Sequence, residues 1–317
     1  MRTRLLSWPG AKYRQLEDLL VYVPHNHPDD MAICEPFWGT GAFTMALIEN
    51  ISAPVFVAEA NQPLRNWWQW LIRDTDTLVE RMAFYREEFR AAGHDRSVFD
   101  AMRDGWNEQK KQHPDSIDTA GWLWCLVYQS TNNLARFNSS GGYNQTWGQG
   151  RKVPDPMQVY GPDELRAVNC LADAVSKGCL ADDAFKALDL FMEYVDDIGA
   201  GYCYLDPPYI VQTETYDRKC WTRPHVDKLM NYIEGLDTRN IPWLMTEYMA
   251  KGDKTHPYSA SLYAHYRVLT LDRKMDARPK GEQLPTEEVV VLGDWVDTDA
   301  NDSAEDFTEP VAQQTLF

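Results

Sequence analysis

The stretch Tyr202-Cys203-Tyr204-Leu205-Asp206-Pro207-Pro208-Tyr209 decides the fold class of this chain. Its first four residues form an apolar run, which predicts a buried strand. Asp206 and Tyr209 then flank a stiff turn at the strand's carboxyl end, the edge where open α/β sheets bind ligands. The prolines fix φ and remove N–H donors, so the Asp206 carboxylate and the Pro207 carbonyl keep one geometry. These acceptors suit the amino group of adenine or cytosine, although an ordinary Pro-Pro turn after a strand would have the same pattern.

A second pattern, Glu35-Pro36-Phe37-Trp38-Gly39-Thr40-Gly41-Ala42-Phe43, lies far upstream. It follows the apolar run Met31-Ala32-Ile33-Cys34 and precedes the helix-like Thr44-Met45-Ala46-Leu47-Ile48, so it predicts a strand, a Gly-x-Gly turn and a helix. Glycines let a ligand approach the backbone closely, and a helix start presents free N–H groups. A dinucleotide site would need a third glycine where Thr44 stands, so NAD is disfavoured.

The run Val55-Phe56-Val57-Ala58 predicts a second strand, and Glu59 follows it directly. An acidic residue at this point of a nucleotide-binding sheet is placed to bind ribose hydroxyls. Together with the Gly-x-Gly turn, it predicts a site for an adenosine-containing cofactor that lacks a pyrophosphate cradle. S-adenosylmethionine (SAM) fits this description.

Four blocks in this order resemble those of Dam-type (alpha-class) DNA adenine-N6 methyltransferases. They are Trp8-Pro9-Gly10-Ala11-Lys12-Tyr13, the Glu35–Ala42 turn, the block from Arg136-Phe137-Asn138 to Trp147-Gly148, and Asp206-Pro207-Pro208-Tyr209. Thr246-Glu247-Tyr248 and Thr286-Glu287-Glu288-Val289 extend the similarity more weakly. Thr146 replaces the family's usual proline and Ser139-Ser140 replace a position that is often basic. Because these departures lie in the base-reading block, the resemblance does not imply the recognition sequence GATC.

The resemblance implies an α/β fold, a Rossmann-like SAM-dependent methyltransferase sheet with helices on both faces and a reversed last strand. Residues 1–65 and 166–296 would form the SAM-binding catalytic domain. Residues 66–165, called the insert below, would form a mainly helical target-recognition region, in which 138–150 are a β-hairpin or an ordered loop. The helical spacing of Trp67, Trp68, Trp70 and Leu71 predicts that these side chains belong to a core and do not stack on bases.

The resemblance also assigns residues to roles. The expected catalytic residues are Asp206, Pro207, Tyr209 and Lys12. The expected cofactor-binding residues are Trp8, Lys12, Glu35, Phe37, Gly39, Gly41, Glu59, Asp183 and Asp206. The Asp183 match is loose, because its aromatic partner comes one place late. The expected DNA-binding residues are Arg136, Asn138, Tyr143, Asn144, Arg151 and Lys152.

These residues suit direct, in-line methyl transfer from SAM to N6 of an adenine flipped out of the duplex. Asp206 and the carbonyl of Pro207 would accept the two amino hydrogens, and Tyr209 would stack on the base. Cytosine-C5 methylation would need a Pro-Cys motif, which the sequence lacks. Methylation of cytosine N4 or of RNA adenine remains an alternative, as does a catalytically silent DNA-binding relative that keeps the fold.

A formal net charge of −17 is unusual for a protein that binds DNA, because phosphate contacts dominate affinity. Arg136 and Arg151-Lys152 bracket the predicted hairpin, and we expect them to contact DNA. Further basic clusters, which are either solvated surface or DNA contacts, are Arg218-Lys219 and Arg273-Lys274 with Arg278 and Lys280. We therefore expect non-specific DNA binding to be weak and sensitive to salt.

Composition predicts a cytoplasmic protein without a metal site. No run approaches the ~20 apolar residues that span a bilayer, and no apolar signal core follows Met1-Arg2-Thr3-Arg4. The six cysteines form no C-x-x-C pair, which favours reduced, buried thiols. His25 and His27 lie in a proline-flanked loop and are not expected to bind metal.

The C-terminal residues 297–317 form a separate unit in the sequence. Residues 297–310 are acidic and lack apolar periodicity, which predicts a disordered tether. The chain then ends in Gln313-Gln314-Thr315-Leu316-Phe317, which is similar to the Q-x-x-L-F peptide that docks bacterial replication proteins on the sliding clamp. Gln313, Leu316 and Phe317 would be the docking residues. The alternative is a chance pentapeptide that folds back on the domain.

Overall fold

A computed structural model describes residues 4–24, 31–93, 95–212, 221–251, 253–271 and 286–293. The strands are β1 (Ala32–Glu35), β2 (Val55–Ala58), β3 (Cys179–Ala181), β4 (Gly201–Leu205), β5 (Trp243–Lys251), β6 (Lys254–Thr255), β7 (Arg267–Thr270) and β8 (Thr286–Leu292). The α-helices are α1 (Leu16–Leu20), α2 (Ala42–Leu47), α3 (Gln62–Arg73), α4 (Thr75–Ala92), α5 (Arg96–Gln112), α6 (Ile117–Gln129), α7 (Pro156–Val159), α8 (Pro162–Lys177), α9 (Ala184–Ile198), α10 (Arg223–Thr238) and α11 (Ser259–His265).

The strands form one sheet in the order β3-β2-β1-β4-β5-β8-β7, with β6 paired to β5. Strands β1 to β5 are parallel to one another, and β8 is antiparallel to both β5 and β7. The predicted parallel sheet with a reversed last strand is therefore confirmed. We expected β8 to close the sheet, but it lies between β5 and β7, because the unpredicted strand β7 covers its other edge.

The central strands are buried on both faces, which explains their nearly continuous apolar sequences. Successive side chains of a strand point to opposite faces, so they enter different cores. Ile33 and Tyr204 pack into the core beneath α3, α6 and α8. Cys34 and Leu205 pack into the core beneath α9 and α10. The sheet is thus covered on both faces, as the fold class requires.

The order of the strands reverses between β1 and β4. The chain proceeds from β1 outward through β2 to β3 on one side, and from β4 outward to β5 on the other. The two strands pair in parallel, with Cys34 opposite Cys203. Their carboxyl ends therefore bring Glu35 and Asp206 to the same edge. In open α/β sheets such a switch point forms the ligand-binding crevice.

The insert is mainly helical and carries α4, α5 and α6 with most of α3. Its tryptophans Trp67, Trp68, Trp106 and Trp124 are fully buried, which confirms the prediction of core packing for the first two. Helix α3 begins at Gln62, capped by the side chain of Asn61, so it runs across the predicted boundary at residue 66. Among the described helices, none is long and apolar enough to cross a bilayer.

Candidate active site

The turn after β1, residues 37–41, is called the glycine turn below. Gly39 and Gly41 both have left-handed backbone conformations, with φ of +52° and +60°, which glycine adopts at little cost. The N–H of Gly41 donates to the carbonyl of Trp38 at 2.7 Å, and the N–H of Trp38 donates to the carbonyl of Ala58 on β2 at 3.0 Å. The sequence therefore folds here as predicted, into a strand, a tight turn and a helix.

Glu35 lies behind the glycine turn and is only 3% exposed. Its Oε2 accepts the backbone N–H and the hydroxyl of Thr44 in α2. Burial raises the pKa of Glu35 to about 8, against the lowering effect of the bonds from Thr44. Among the weaker influences on this pKa are the charges of Asp206 and Lys12, which places all three groups in one electrostatic neighbourhood.

Glu59 supports the same turn from the end of β2. Its Oε2 accepts the N–H of Gly39 at 3.1 Å and its Oε1 accepts the N–H of Asn61 at 2.6 Å. Burial raises its pKa to about 7. Both oxygens thus already bind backbone, and Glu59 fixes the turn whether or not it also meets a ribose.

Asp206 lies directly after β4, and Lys12 reaches it from the N-terminal segment. The Lys12 ammonium lies 2.7 Å from Oδ1 and 2.6 Å from Oδ2 of Asp206, and it also donates to the carbonyl of Gly10 at 3.3 Å. Both side chains are largely buried, at 8% and 17% exposed. A paired, partly desolvated carboxylate of this kind keeps one orientation.

Two hydroxyl groups also donate to Asp206, and both reach Oδ1. They come from Thr246, at 2.7 Å, and from Tyr209, at 3.0 Å. The hydroxyl of Tyr204 supports Thr246 at 3.3 Å. Oδ1 is therefore crowded with donors, whereas Oδ2 accepts from Lys12 and has lone-pair capacity for a further hydrogen.

Buried carboxyl groups surround Tyr209. Its hydroxyl lies 3.2 Å from Oε1 of Glu288, and its ring is 4.5 Å from that of Tyr248. Glu247 is 1% exposed, and burial, then the charge of Asp206, raise its pKa well above the usual value. His256 lies 3.7 Å from Glu247, and burial lowers its pKa to about 4. His256 is therefore neutral at pH 7, and its imidazole contributes no positive charge beside Glu247.

Other expected cofactor residues lie around this edge. The ring of Phe37 packs edge-on against Trp221 at 5.2 Å, and the ring of Trp8 lies 6.0 Å from Phe137 of the insert. Asp183 caps α9, because its Oδ1 accepts the N–H groups of Phe185 and Lys186. The cap accounts for an acid at this position without a cofactor, so the loose match at Asp183 gains no support.

The segment 130–150, called the reading loop below, contains the predicted hairpin. It has isolated bridges between Phe137 and Tyr143 and between Ser130 and Trp147, without regular strands. Of the two predicted forms, the structure has the ordered loop. Its tip is closed by Asn138, whose Oδ1 accepts from Ser140 and Gly142.

Arg136 is exposed on the reading loop and bonds to the half-buried Asn144. The guanidinium of Arg136 donates to Oδ1 and to the backbone carbonyl of Asn144, both at 3.0 Å. Arg151 and Lys152 are exposed just beyond the loop. The remaining basic clusters, at 218–219 and 273–280, lie outside the described residues, as do His25 and His27.

Tyr143 differs from the expectation of a DNA contact. Its side chain is 1% exposed, and its hydroxyl is bonded to Ser130 at 2.7 Å. The side chain of Asn107 in α5 binds both the N–H and the carbonyl of Tyr143, at 2.7 and 3.0 Å. These contacts turn the ring inward, so Tyr143 anchors the loop to the insert and does not face a base.

Thr246, Glu247 and Glu288 are site residues that the sequence did not assign. Strand pairing could have identified Thr246, because β4 and β5 are parallel neighbours and Leu205 pairs with Met245. The residue after each partner must then lie at the same edge, which places Thr246 beside Asp206. For Glu288, strand pairing gave no such indication, since β8 was expected at the edge of the sheet, and its weak similarity to the family carried no role.

The comparisons with known proteins agree with this geometry. The sequence matches the D12 class N6 adenine-specific DNA methyltransferase family over residues 8–276. The chain belongs to this family. The activity is therefore adenine-N6 methylation of DNA, and the family's methyl donor is SAM. The match also accords with the Rossmann-like sheet and the order of the motifs.

Two relatives carry names of the same kind. DNA adenine methylase of Escherichia coli (strain K12) is 25% identical over 248 residues, which cover 77% of this chain and 80% of that protein. DNA N-6-adenine-methyltransferase of Escherichia phage P1 is 26% identical over 156 residues, which cover 49% of this chain and 19% of that protein. The similarity to the phage protein thus concerns a small part of its length.

Proposed function

We propose that this methyltransferase binds SAM at the glycine turn and presents a flipped-out adenine to Asp206. The observation that carries the proposal is the Lys12–Asp206 pair at the switch point, beside the turn that follows β1. The turn suits a bound ligand, since a Cβ at Gly39 would meet no described atom within 4 Å. When bound, SAM supplies an electrophilic methyl group on a sulfonium.

Asp206 and Pro207 prepare the amino nitrogen for this reaction. The lone pair of N6 is delocalised into the adenine ring, which makes the amine a poor nucleophile. Oδ2 of Asp206 accepts one amino hydrogen, and the carbonyl of Pro207 accepts the other. Together these bonds draw the nitrogen toward tetrahedral geometry. Positioning of two reactants in this way can supply ~7–11 kcal/mol of the acceleration.

Tyr209 offsets part of the cost of base flipping. Extrusion of a base from the duplex costs a few kcal/mol, and stacking on an aromatic ring returns roughly 1–3 kcal/mol. The hydroxyl of Tyr209 is held by Asp206 and Glu288, so the orientation of the ring depends on the buried carboxyl groups. After transfer, the Asp206 carboxylate, which already accepts one N6 hydrogen in this proposal, is the group placed to take the proton lost from N6.

The insert supplies DNA recognition in this proposal, and residues 1–65 with 166–296 supply catalysis. The exposed Arg136 and Asn138, with the half-buried Asn144, are the groups of the reading loop that suit base edges, while Arg151 and Lys152 suit phosphates. Cytosine-N4 and RNA methylation are disfavoured, because the family and both relatives are described as adenine-specific enzymes of DNA. The intact network around Asp206 also disfavours a silent relative.

Asp206→Asn tests the proposal with little change of volume. We expect methyl transfer to fall by at least about 10²–10³-fold, as for loss of one preorganised polar contact, while SAM affinity is largely kept. A suitable control is Asp237→Asn, because Asp237 also accepts two side-chain bonds, from Trp243 and Tyr266, but lies away from the site. Wild-type turnover by Asp206→Asn, measured as N6-methyladenine by mass spectrometry, would reject the assignment.

We further propose that Gln313, Leu316 and Phe317 dock the enzyme on the bacterial sliding clamp, in the cytoplasm where the DNA lies. These residues lie outside the described part of the chain, so the proposal rests on their sequence. Tethering to the clamp would raise the local enzyme concentration on DNA and offset the weak affinity of an acidic protein.

A peptide of residues 305–317 and the full-length protein test clamp docking. We expect micromolar binding to purified clamp, about −8 kcal/mol, and none after deletion of Leu316 and Phe317. The deletion should leave methylation of short duplexes unchanged. No detectable binding by the full-length protein would dispose of the clamp proposal without affecting the methyltransferase assignment.

A further inference from the structure

A tryptophan of the insert binds the glycine turn. The indole N–H of Trp68, in α3, donates to the carbonyl of Gly39 at 2.8 Å. The N–H of the same glycine donates to Glu59 at 3.1 Å. Gly39 is therefore held from both directions, by the end of β2 through its N–H and by the insert through its carbonyl.

Gly39 needs external partners of this kind. Its φ of +52° lies in the left-handed region, and the absence of a side chain leaves it more conformational freedom than any other residue. The orientation of its carbonyl is thus not enforced by sterics. The hydrogen bond from Trp68 is buried at the indole, because Trp68 is 0% exposed, and it selects one orientation of the turn.

Ring packing connects the same two elements. Trp38, within the turn, stacks on Trp68 with ring centroids 4.0 Å apart and planes 19° apart. Trp38 is 2% exposed, and its Nε1 lies 2.5 Å from the place where a Cβ on Gly41 would be. Trp68 therefore fixes Trp38, and Trp38 in turn limits the space available to Gly41.

We propose that Trp68 is a positioning residue for the cofactor, through which the insert holds the glycine turn in its binding conformation. The inference deepens the proposed function and rests on it, because it assumes that the turn binds SAM. The substrate-reading part of the chain is then also part of the cofactor site. Loss of Trp68 should weaken SAM binding without touching Asp206 or the reading loop.

Trp68→Phe with Trp106→Phe as control tests the inference. Trp106 is also 0% exposed, and its indole donates to the carbonyl of Thr119 at 2.9 Å, within the insert and away from the turn. Both variants lose one buried N–H···O=C bond and a similar volume, so their unfolding free energies should fall by similar amounts. Only Trp68→Phe should raise the Kd for SAM, by about five- to tenfold, the factor expected for one hydrogen bond.

Kinetics separate positioning from general destabilisation. In Trp68→Phe the KM for SAM should rise, while kcat at saturating SAM and the Kd for DNA stay at wild-type values. Should this variant fail to fold, Trp38→Leu, which removes the stack, should raise the Kd for SAM in its place. The inference would be overturned if the wild type, Trp68→Phe and Trp38→Leu bound SAM with equal affinity. It would also be overturned if Trp68→Phe and Trp106→Phe lost SAM affinity to the same extent. Failure of the wild-type protein to bind SAM would instead reject the proposed function.

Discussion

The ammonium of Lys12 contacts both carboxylate oxygens of Asp206, at 2.7 and 2.6 Å, across 194 positions of sequence. The N-terminal segment is thus part of the candidate active site at this edge of the sheet. Since Lys12 spans both oxygens and two hydroxyl groups crowd Oδ1, the direction from which Oδ2 can accept another hydrogen is restricted. The network therefore orients the carboxylate for one donor geometry.

Thr246→Val should separate orientation of Asp206 from substrate binding. The change keeps the shape of the side chain but removes the donor to Oδ1, so we expect kcat to fall about tenfold, equivalent to ~1–1.5 kcal/mol for one hydrogen bond. The Kd for SAM, measured by calorimetry, should not change.

Thr119→Val is the matched control for this change. Thr119 is also fully buried, and its hydroxyl donates to the carbonyl of His113 at 2.8 Å in the insert. Its kcat should match that of the wild type. An unaltered kcat in Thr246→Val would mean that Lys12 and Tyr209 suffice to orient Asp206.

The two glycines of the turn should differ in their response to alanine. Gly41→Ala places a Cβ 2.5 Å from Nε1 of Trp38, in addition to the strain of a left-handed φ, so SAM affinity should be largely lost. The Cβ added in Gly39→Ala would meet no described atom within 4 Å. This variant has only the strain of the left-handed backbone, about 1 kcal/mol. We therefore expect a smaller loss of affinity for Gly39→Ala.

Gly199→Ala provides the control for backbone strain, because Gly199 has a φ of +77° and open space, at the end of α9. It should lower stability but not SAM affinity. The prediction is wrong if Gly39→Ala and Gly41→Ala bind SAM equally well.

Arg136→Ala should reduce sequence discrimination. Arginine is the commonest reader of guanine, and its loss should cost roughly 1–3 kcal/mol of preference for cognate over single-mismatch sites. The exposed Arg166 of α8, which pairs with Asp163 of the same helix and with Glu49, is the control. Sequencing of methylated DNA gives the readout, and an unchanged pattern in Arg136→Ala would move base reading elsewhere in the insert.

Glu35 should make stability depend on pH. Its pKa is raised from 4.5 to about 8 in the folded protein, so between these values the folded state holds a proton that the unfolded state releases. The contribution of the protonated Glu35 to the free energy of unfolding is complete below about pH 4.5 and is lost as pH rises through about 8. The free energy of unfolding, measured with urea, should therefore fall across this range.

Glu35→Gln should flatten this fall, because glutamine keeps the shape and does not titrate. Part of the slope should remain, since Glu59, with a pKa raised to about 7, acts in the same direction. Surface Glu193→Gln should leave the slope as in the wild type. An identical slope in Glu35→Gln and the wild type would show that Glu35 is ionised in the folded protein.

Local patterns predicted the strands and turns that form the edge of the sheet. Apolar runs ending in Glu35, Glu59 and Asp206 became β1, β2 and β4, because a buried parallel strand needs continuous apolar sequence. The short strand β3 and the polar helix α5 were not predicted. Three residues are too few to show a period, and the sequence of α5 is largely polar, with Phe99 and Trp106 as its buried residues.

The sequence by itself determined the fold class, the order of the motifs and the chemistry of the site, because these depend on residue types over a few positions. Only the tertiary structure decided which side chains meet. Tyr143 turned inward because Asn107 holds its backbone, and Trp68 reached Gly39 because α3 packs beside the turn. Lys12 met Asp206 because the folded sheet brought distant segments to one edge. Such contacts depend on packing between elements far apart in sequence, and no local pattern encodes them.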